Sequence, residues 1–178
     1  KGEFSFSNST FSPQFRVPKD ITYSKNSAKV RFNVVAEDGD EAIGSVSGIK
    51  LTLGLPSNDT NGPIITFESE SGIRLQNGDN LPENQNLIIR FSDPMGINLT
   101  GEKGHELTIK ENLSNDIVST NENFIYDINS LNTGTILYKI PSDLEKISLI
   151  VKAWDNANNP SENQIELMVL KSKELSLL

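Results

Sequence analysis

The chain has 178 residues, a formal net charge of −8, 35 % hydrophobic and 7 % aromatic residues, and no cysteine. That charge opposes a phosphate backbone, which needs clustered Lys and Arg, so nucleic acid is not expected as a partner. The lack of Cys removes disulfides, thiolate nucleophiles and Cys-ligated zinc together.

Eight Phe, with many Ile and Leu, make the chain too apolar for intrinsic disorder. Its surplus of Asn, Ser and Thr favours turns and strand edges over helix interiors, so many short strands joined by polar loops are expected. No apolar run approaches the roughly 20 residues that cross a bilayer, and no membrane span is expected. The chain begins at Lys1 without Met or a signal peptide, and it reads as a processed fragment whose targeting segment lies outside it.

In chain order, Phe4 and Phe6 alternate, Phe15-Arg16-Val17 runs into Pro18, and Ala28 to Val35 places Val30, Phe32 and Val34 on one face. After the acidic loop Glu37-Asp38-Gly39-Asp40-Glu41, a further strand is expected from Ser47 to Leu53, with Ile49, Leu51 and Leu53 on one face. These strands are few for a closed sandwich, and residues 1–57 read as a smaller, incomplete β module whose missing strands lie upstream of Lys1. The turn formers from Gly54 to Pro63 mark a linker, placed at residues 58–63.

Beyond it, strands are expected at Ile64–Phe67, Asn86–Phe91, His105–Ile109, Gly134–Ile140, Ile147–Trp154 and Gln164–Leu170. About seven short strands in about 110 residues, separated by Gly, Asn, Asp and Pro turns, suit an immunoglobulin-like antiparallel β-sandwich over residues 64–172. The fold class is therefore all-β. Pro141 to Glu145 could form one helical turn with Ser142 as its N-cap. In Val151-Lys152-Ala153-Trp154-Asp155-Asn156-Ala157-Asn158-Asn159 an alternation with Val151 and Ala153 on one face and Lys152 and the only Trp on the other runs into an Asp/Asn corner built for Asx turns.

His105, the only histidine, reads as a strand-start residue bonded to backbone, since no Gly-X-Ser-X-Gly elbow accompanies it. Glu68 with Glu70, and Glu37 through Glu41, read as solvated faces rather than an acid–base pair. Trp154 and Tyr126 are the aromatics that could serve as platforms for a sugar, although a Trp in such a strand is more often core. Four Asn-X-Ser/Thr sequons, at Asn8, Asn58, Asn98 and Asn112, match the chance yield of an Asn-rich chain. The cation that fits this composition is Ca²⁺, which takes oxygens from Asp, Asn and backbone carbonyls, and its candidate ligands are Asp59, Asp93, Asp155, Asn156 and Asn158. No other cofactor is implied.

Gly2-Glu3-Phe4-Ser5-Phe6, Phe15 through Tyr23, Asp59 with Gly62-Pro63-Ile64-Ile65, Phe91 through Asn98, Gly104-His105-Glu106-Leu107 and Val151 through Asn159 stand in an ordered set. In order and spacing that set resembles the region following the catalytic domain of gingipain-type cysteine peptidases, and within them the sortase of the type IX secretion system. One departure is Asn123-Phe124-Ile125-Tyr126, where relatives often carry a Leu-Asn-Asp phrase. The resemblance implies a large exported bacterial parent, outer-membrane associated at the cell surface, whose upstream domain carries a Cys/His dyad that cleaves sorting signals from cargo. No catalytic residue of that family falls in this chain, so this piece is expected to be non-catalytic: a spacer and docking surface for neighbouring domains and for cargo C-terminal domains. Residues 173–178 would lead into a further C-terminal domain. The alternative is an adhesin-like or carbohydrate-binding immunoglobulin-like repeat of another bacterial surface protein, for which tandem copies of the Asp/Asn corner would be expected; the phrase occurs once.

Overall fold

The structure, a computed structural model, describes residues 2–6, 10, 12, 14–21, 27–51, 57–111, 117–141 and 143–171. Contacts group the chain into two units, Ile21–Asn58 and Lys1–Asp20 together with Asp59–Leu178. The sequence assigned residues 1–57 to one module, whereas residues before Asp20 group with the sandwich. They are held there by single polar bonds rather than by a ladder: Asn129 N donates to Glu3 O (2.9 Å), and Ser5 N donates to Asn129 Oδ1 (2.9 Å).

The smaller unit is a two-stranded antiparallel ribbon, β1 (Ala28–Val35) with β2 (Glu41–Ile49). The acidic loop forms its turn: Gly39 takes φ 90°, a value cheap only for glycine, and Asp38 Oδ1 accepts from Asp40 N (3.2 Å). Because the turn is short, pairing resumes at once with Val35 opposite Glu41, so β2 starts earlier than the expected Ser47–Leu53; residues 52–56 lie outside the described set. Val30 and Val34 are half-buried but Phe32 is exposed, its ring lying where a methyl on Gly44 would collide with it.

The larger unit is a β-sandwich. One sheet runs β4 (Asn80–Pro82), β11 (Pro160–Leu170), β10 (Lys146–Trp154), β6 (Thr108–Glu111) and β7 (Ile117–Ser119). The other runs β3 (Ile64–Glu68), β5 (Asn86–Ser92), β9 (Thr133–Lys139) and β8 (Ile125–Tyr126). Every pairing is antiparallel except β4 with β11, which is parallel. No helix occurs among the described residues; Ser142 lies outside them, and Asp143 sits in a turn. The expected strands at Phe4–Phe6 and Phe15–Val17 do not form, and Phe6, Phe15 and Val17 are exposed; among the described residues no strand pairs with either segment.

Period-two patterning drives the two central strands. In β10, Ile147, Leu149, Val151 and Ala153 are buried while Ser148, Ile150, Lys152 and Trp154 alternate outward, and in β5 Leu87, Ile89 and Phe91 do the same. With Ile65, Phe67, Ile109, Ile136, Ile165, Leu167 and Val169 they form one continuous core. Phe91, Phe124 and Tyr126 extend it, with ring centroids 5.6 and 4.8 Å apart in edge-to-face pairs. Asn163 Nδ2 reaches across to Ile65 O (2.8 Å), so the last strand ties down the first of the opposite sheet. The Asp/Asn corner between β10 and β11 sits at one end of this core.

Candidate functional site

Three loops converge at that end. They are the approach to β3 carrying Asp59, the β5–β6 connection that begins at Asp93, and the β10–β11 turn from Asp155 to Asn159. Asp155 Oδ1 accepts from Ala157 N (2.8 Å) and Asn159 N (2.7 Å), while Oδ2 accepts from Asn159 Nδ2 (2.8 Å). This closes the turn as the Asx pattern predicts. The same Asn159 Nδ2 lies 3.1 Å from Asp59 O, and Asp59 Oδ1 accepts from Asn61 N (3.1 Å).

Asp93 organises the second loop. Its Oδ1 accepts from Met95 N (2.6 Å) and its carbonyl from Gly96 N (2.9 Å). Gly96 has φ 77°, and a methyl there would lie 2.7 Å from Leu131 O and 2.9 Å from Asn156 Nδ2, so only glycine suits the position. The loop is bonded to the β10–β11 turn by Asn156 N to Gly96 O (3.1 Å), Asn156 Nδ2 to Met95 O (2.8 Å) and Asn98 N to Trp154 O (2.8 Å).

The result is a close group of carboxylates: one oxygen from each of Asp59, Asp93 and Asp155, all within 4.8 Å of one another. Asp155 is 0 % and Asp93 2 % exposed, whereas Asp59 is half-buried. Burial pushes the Asp93 carboxyl up to about 6, and the negative charges of Asp155 and Asp59 add to that; the Met95 N–H and the Arg16 charge oppose it. Beside them, Asn156 is 8 % exposed and its Oδ1 is buried without a hydrogen-bond partner.

A second cluster lies on the same turn, and it holds the one candidate that does not join the first. Asn158, at φ 67°, donates from Nδ2 to Asp20 Oδ1 (2.6 Å). Asp20 Oδ2 accepts from Asn98 Nδ2 (2.6 Å) and lies 2.8 Å from His105 Nδ1. Burial alone would raise the Asp20 carboxyl, but its bonds to His105, Asn158 and Asn98 outweigh that and hold it below the usual carboxylate range. Lys19 adds Nζ to Ala157 O (2.7 Å) and N to Asn156 O (3.1 Å). His105 therefore binds a carboxylate through its ring, not the backbone as expected, because it precedes β6 in a turn and faces Asp20.

The remaining candidates are placed elsewhere. The His105 ring packs against Trp154 (centroids 4.2 Å apart) and Lys152 Nζ stands 5.1 Å from the Trp centroid, so the indole already has two side-chain neighbours. Tyr126 donates its hydroxyl to Ile97 O (3.0 Å), and burial pushes the phenol up to about 12. Glu68 pairs with Arg90 (3.3 Å), and Glu70 accepts from Asn86 N (3.0 Å), so the two carboxylates have separate partners. Asp20 was not singled out from the sequence and Asn98 only as a sequon; a lone His in a chain with no Cys was the one hint that a carboxylate partner existed.

No protein-family model and no curated protein matches the chain. Among solved structures, the crystal structure of dimeric latent PorU from Porphyromonas gingivalis matches with a TM-score of 0.56 and 27 % sequence identity. The match covers 89 % of this chain and 15 % of that one. Over that region the fold is PorU-like. The chain thus spans a minor part of the length of PorU.

Proposed function

We propose that the chain is a non-catalytic accessory region of a bacterial surface cysteine peptidase related to the type IX secretion sortase, serving as spacer and docking surface between neighbouring domains. The observation that carries this reading is the likeness to PorU, which takes in 89 % of this chain and 15 % of PorU. A fragment that maps so completely onto so small a share of a large protein suits a module rather than the whole machine. The ordered phrases that resemble gingipain-type peptidases point the same way, and a location at the cell surface belongs to this reading.

A sandwich suits a spacer because its two sheets share one apolar core and resist bending as a unit. Its own edges, β3, β4, β7 and β8, are five residues or fewer, which discourages edge pairing. The ribbon differs: β1 and β2 are 8 and 9 residues long, each with one unpaired edge among the described residues, and Ile43 is 83 % exposed. A two-stranded ribbon is marginal alone, so an extended peptide added to one edge would stabilise it. Cargo C-terminal domains are the peptide class this reading assigns to it. The test is a pull-down of cargo C-terminal domains by this chain, with Ile43→Lys as the weakened variant. Capture by the wild type and loss in the variant is expected; no binding at tens of micromolar would sink the docking role.

A further inference from the structure

Three carboxylates drawn together at one end of a protein core repel one another unless something positive sits among them. Asp155 has no exposure and Asp93 almost none, so water screens them poorly. Asp155 and Asp59 both push the Asp93 carboxyl up, and the Arg16 charge opposes them. The second observation is independent of charge. Asn156 follows Asp155 directly, and its Nδ2 is fixed on Met95 O, whose own residue donates its N–H to Asp93. That fixes the side chain between the loop Asp93 organises and the turn Asp155 closes, and its Oδ1 is buried and unpaired. A buried amide oxygen with no donor is costly, and a cation is the partner that would also relieve the carboxylates.

We propose that Asp59, Asp93, Asp155 and the Asn156 side-chain oxygen bind one Ca²⁺ ion that fastens the three loops at this end of the sandwich. The donors are all hard oxygens, the set that Ca²⁺ prefers, and zinc's usual ligands are missing, with no Cys in the chain and His105 held by Asp20. Carboxylate oxygens within 4.8 Å of one another are no farther apart than two ligands on opposite sides of one Ca²⁺ at about 2.4 Å. Asp155 can take part without opening its turn, because a carboxylate offers about four acceptor positions and three are used here. Asn158 is not a ligand, since its Nδ2 donates to Asp20 and its Oδ1 accepts from Asn98 Nδ2 (3.4 Å) in the second cluster. This inference is independent of the accessory role proposed above, which would stand if no ion bound.

Terbium(III) is the probe, because Trp154, the only Trp, adjoins Asp155 and can sensitise emission from an ion bound there. In the chelator-stripped full chain, Trp-sensitised terbium emission is expected, reversed by CaCl₂ with an apparent Kd of about 10⁻⁴–10⁻³ M, as in extracellular modules. Asp59→Asn keeps an amide oxygen for the Asn61 N–H but loses a ligand charge, so it should weaken calcium at least about tenfold while the chelated protein melts as wild type does. Asn156→Ala should also weaken it. No emission displaced by millimolar calcium would overturn the proposal, and so would Asp59→Asn binding as tightly as wild type, which would place any ion at another acidic patch such as Glu37–Glu41.

Discussion

Replacing Asp155 by Ala and by Asn separates two roles that this side chain combines. Both changes remove the charge, so any relief of repulsion with Asp59 and Asp93 is common to the two variants. They differ in what happens to the Ala157 and Asn159 N–H groups, which both donate to Asp155 Oδ1 at 2.8 and 2.7 Å. Asparagine keeps an oxygen at that point, whereas alanine strands both donors. The Ala157 bond is fully buried and the Asn159 bond partly so, and at about 1–3 kcal/mol for a stranded buried donor the gap between the variants should be about 2–4 kcal/mol. For a domain of this size each kcal/mol moves Tm by about 2–4 °C. Thermal melts followed by circular dichroism in chelator, so that no metal contributes, should therefore place Asp155→Ala at least about 4 °C below Asp155→Asn. If the two variants melt within about 2 °C of each other, the turn is not held by the carboxylate and the account of this corner fails.

Gly134 on β9 faces Phe124, and a methyl there would stand 2.5 Å from Ile125 O, a backbone atom of β8 that cannot rotate away. Gly134→Ala should cost about 1–3 kcal/mol and loosen β8; an unchanged urea midpoint would show that β8 is already mobile. Asp20 gives a pH signature. Its carboxyl is held below the usual range in the folded chain, so its stabilisation is complete above the unfolded value of about 3.9 and is lost as pH falls through the lower folded value. Asp20→Asn should therefore lose less stability than wild type between about pH 4 and pH 2, read by urea unfolding, and parallel curves would count against the His105–Asp20 contact.

Legibility followed burial. Strands β5 and β10 were readable because each keeps one face in a two-sided core, so the alternation in the residues is the alternation in the fold. Strands β4, β7 and β8 have three, three and two residues, too few to display any period, and they were not foreseen. His105 and Glu106 were read as the start of β6, but Gly104 at φ 91° turns the chain there and the ladder begins at Thr108. In the ribbon neither face meets a core within its own unit, so Ile49 and Leu51 suggested a register that the short turn at Ala36–Asp40 overrides.

The acidic end shows where residue type is informative without any period. Asp59, Asp93 and Asp155 were singled out because each stands among turn formers, and turns at the same end of a sandwich bring their side chains together whatever their separation in sequence. The opposite case is Asp20, which the sequence placed in the ribbon's module. What fixes it instead is a set of bonds to Asn98, His105 and Asn158, residues that share no spacing and that only the fold makes neighbours. A carboxylate committed to partners so distant in sequence acts as a peg: with the bonds of Glu3, Ser5 and Lys19 it ties the first twenty residues to the sandwich. The two units therefore divide twice, at Asp20–Ile21 beside this carboxylate and at Asn58–Asp59 within the turn-rich stretch read as the linker.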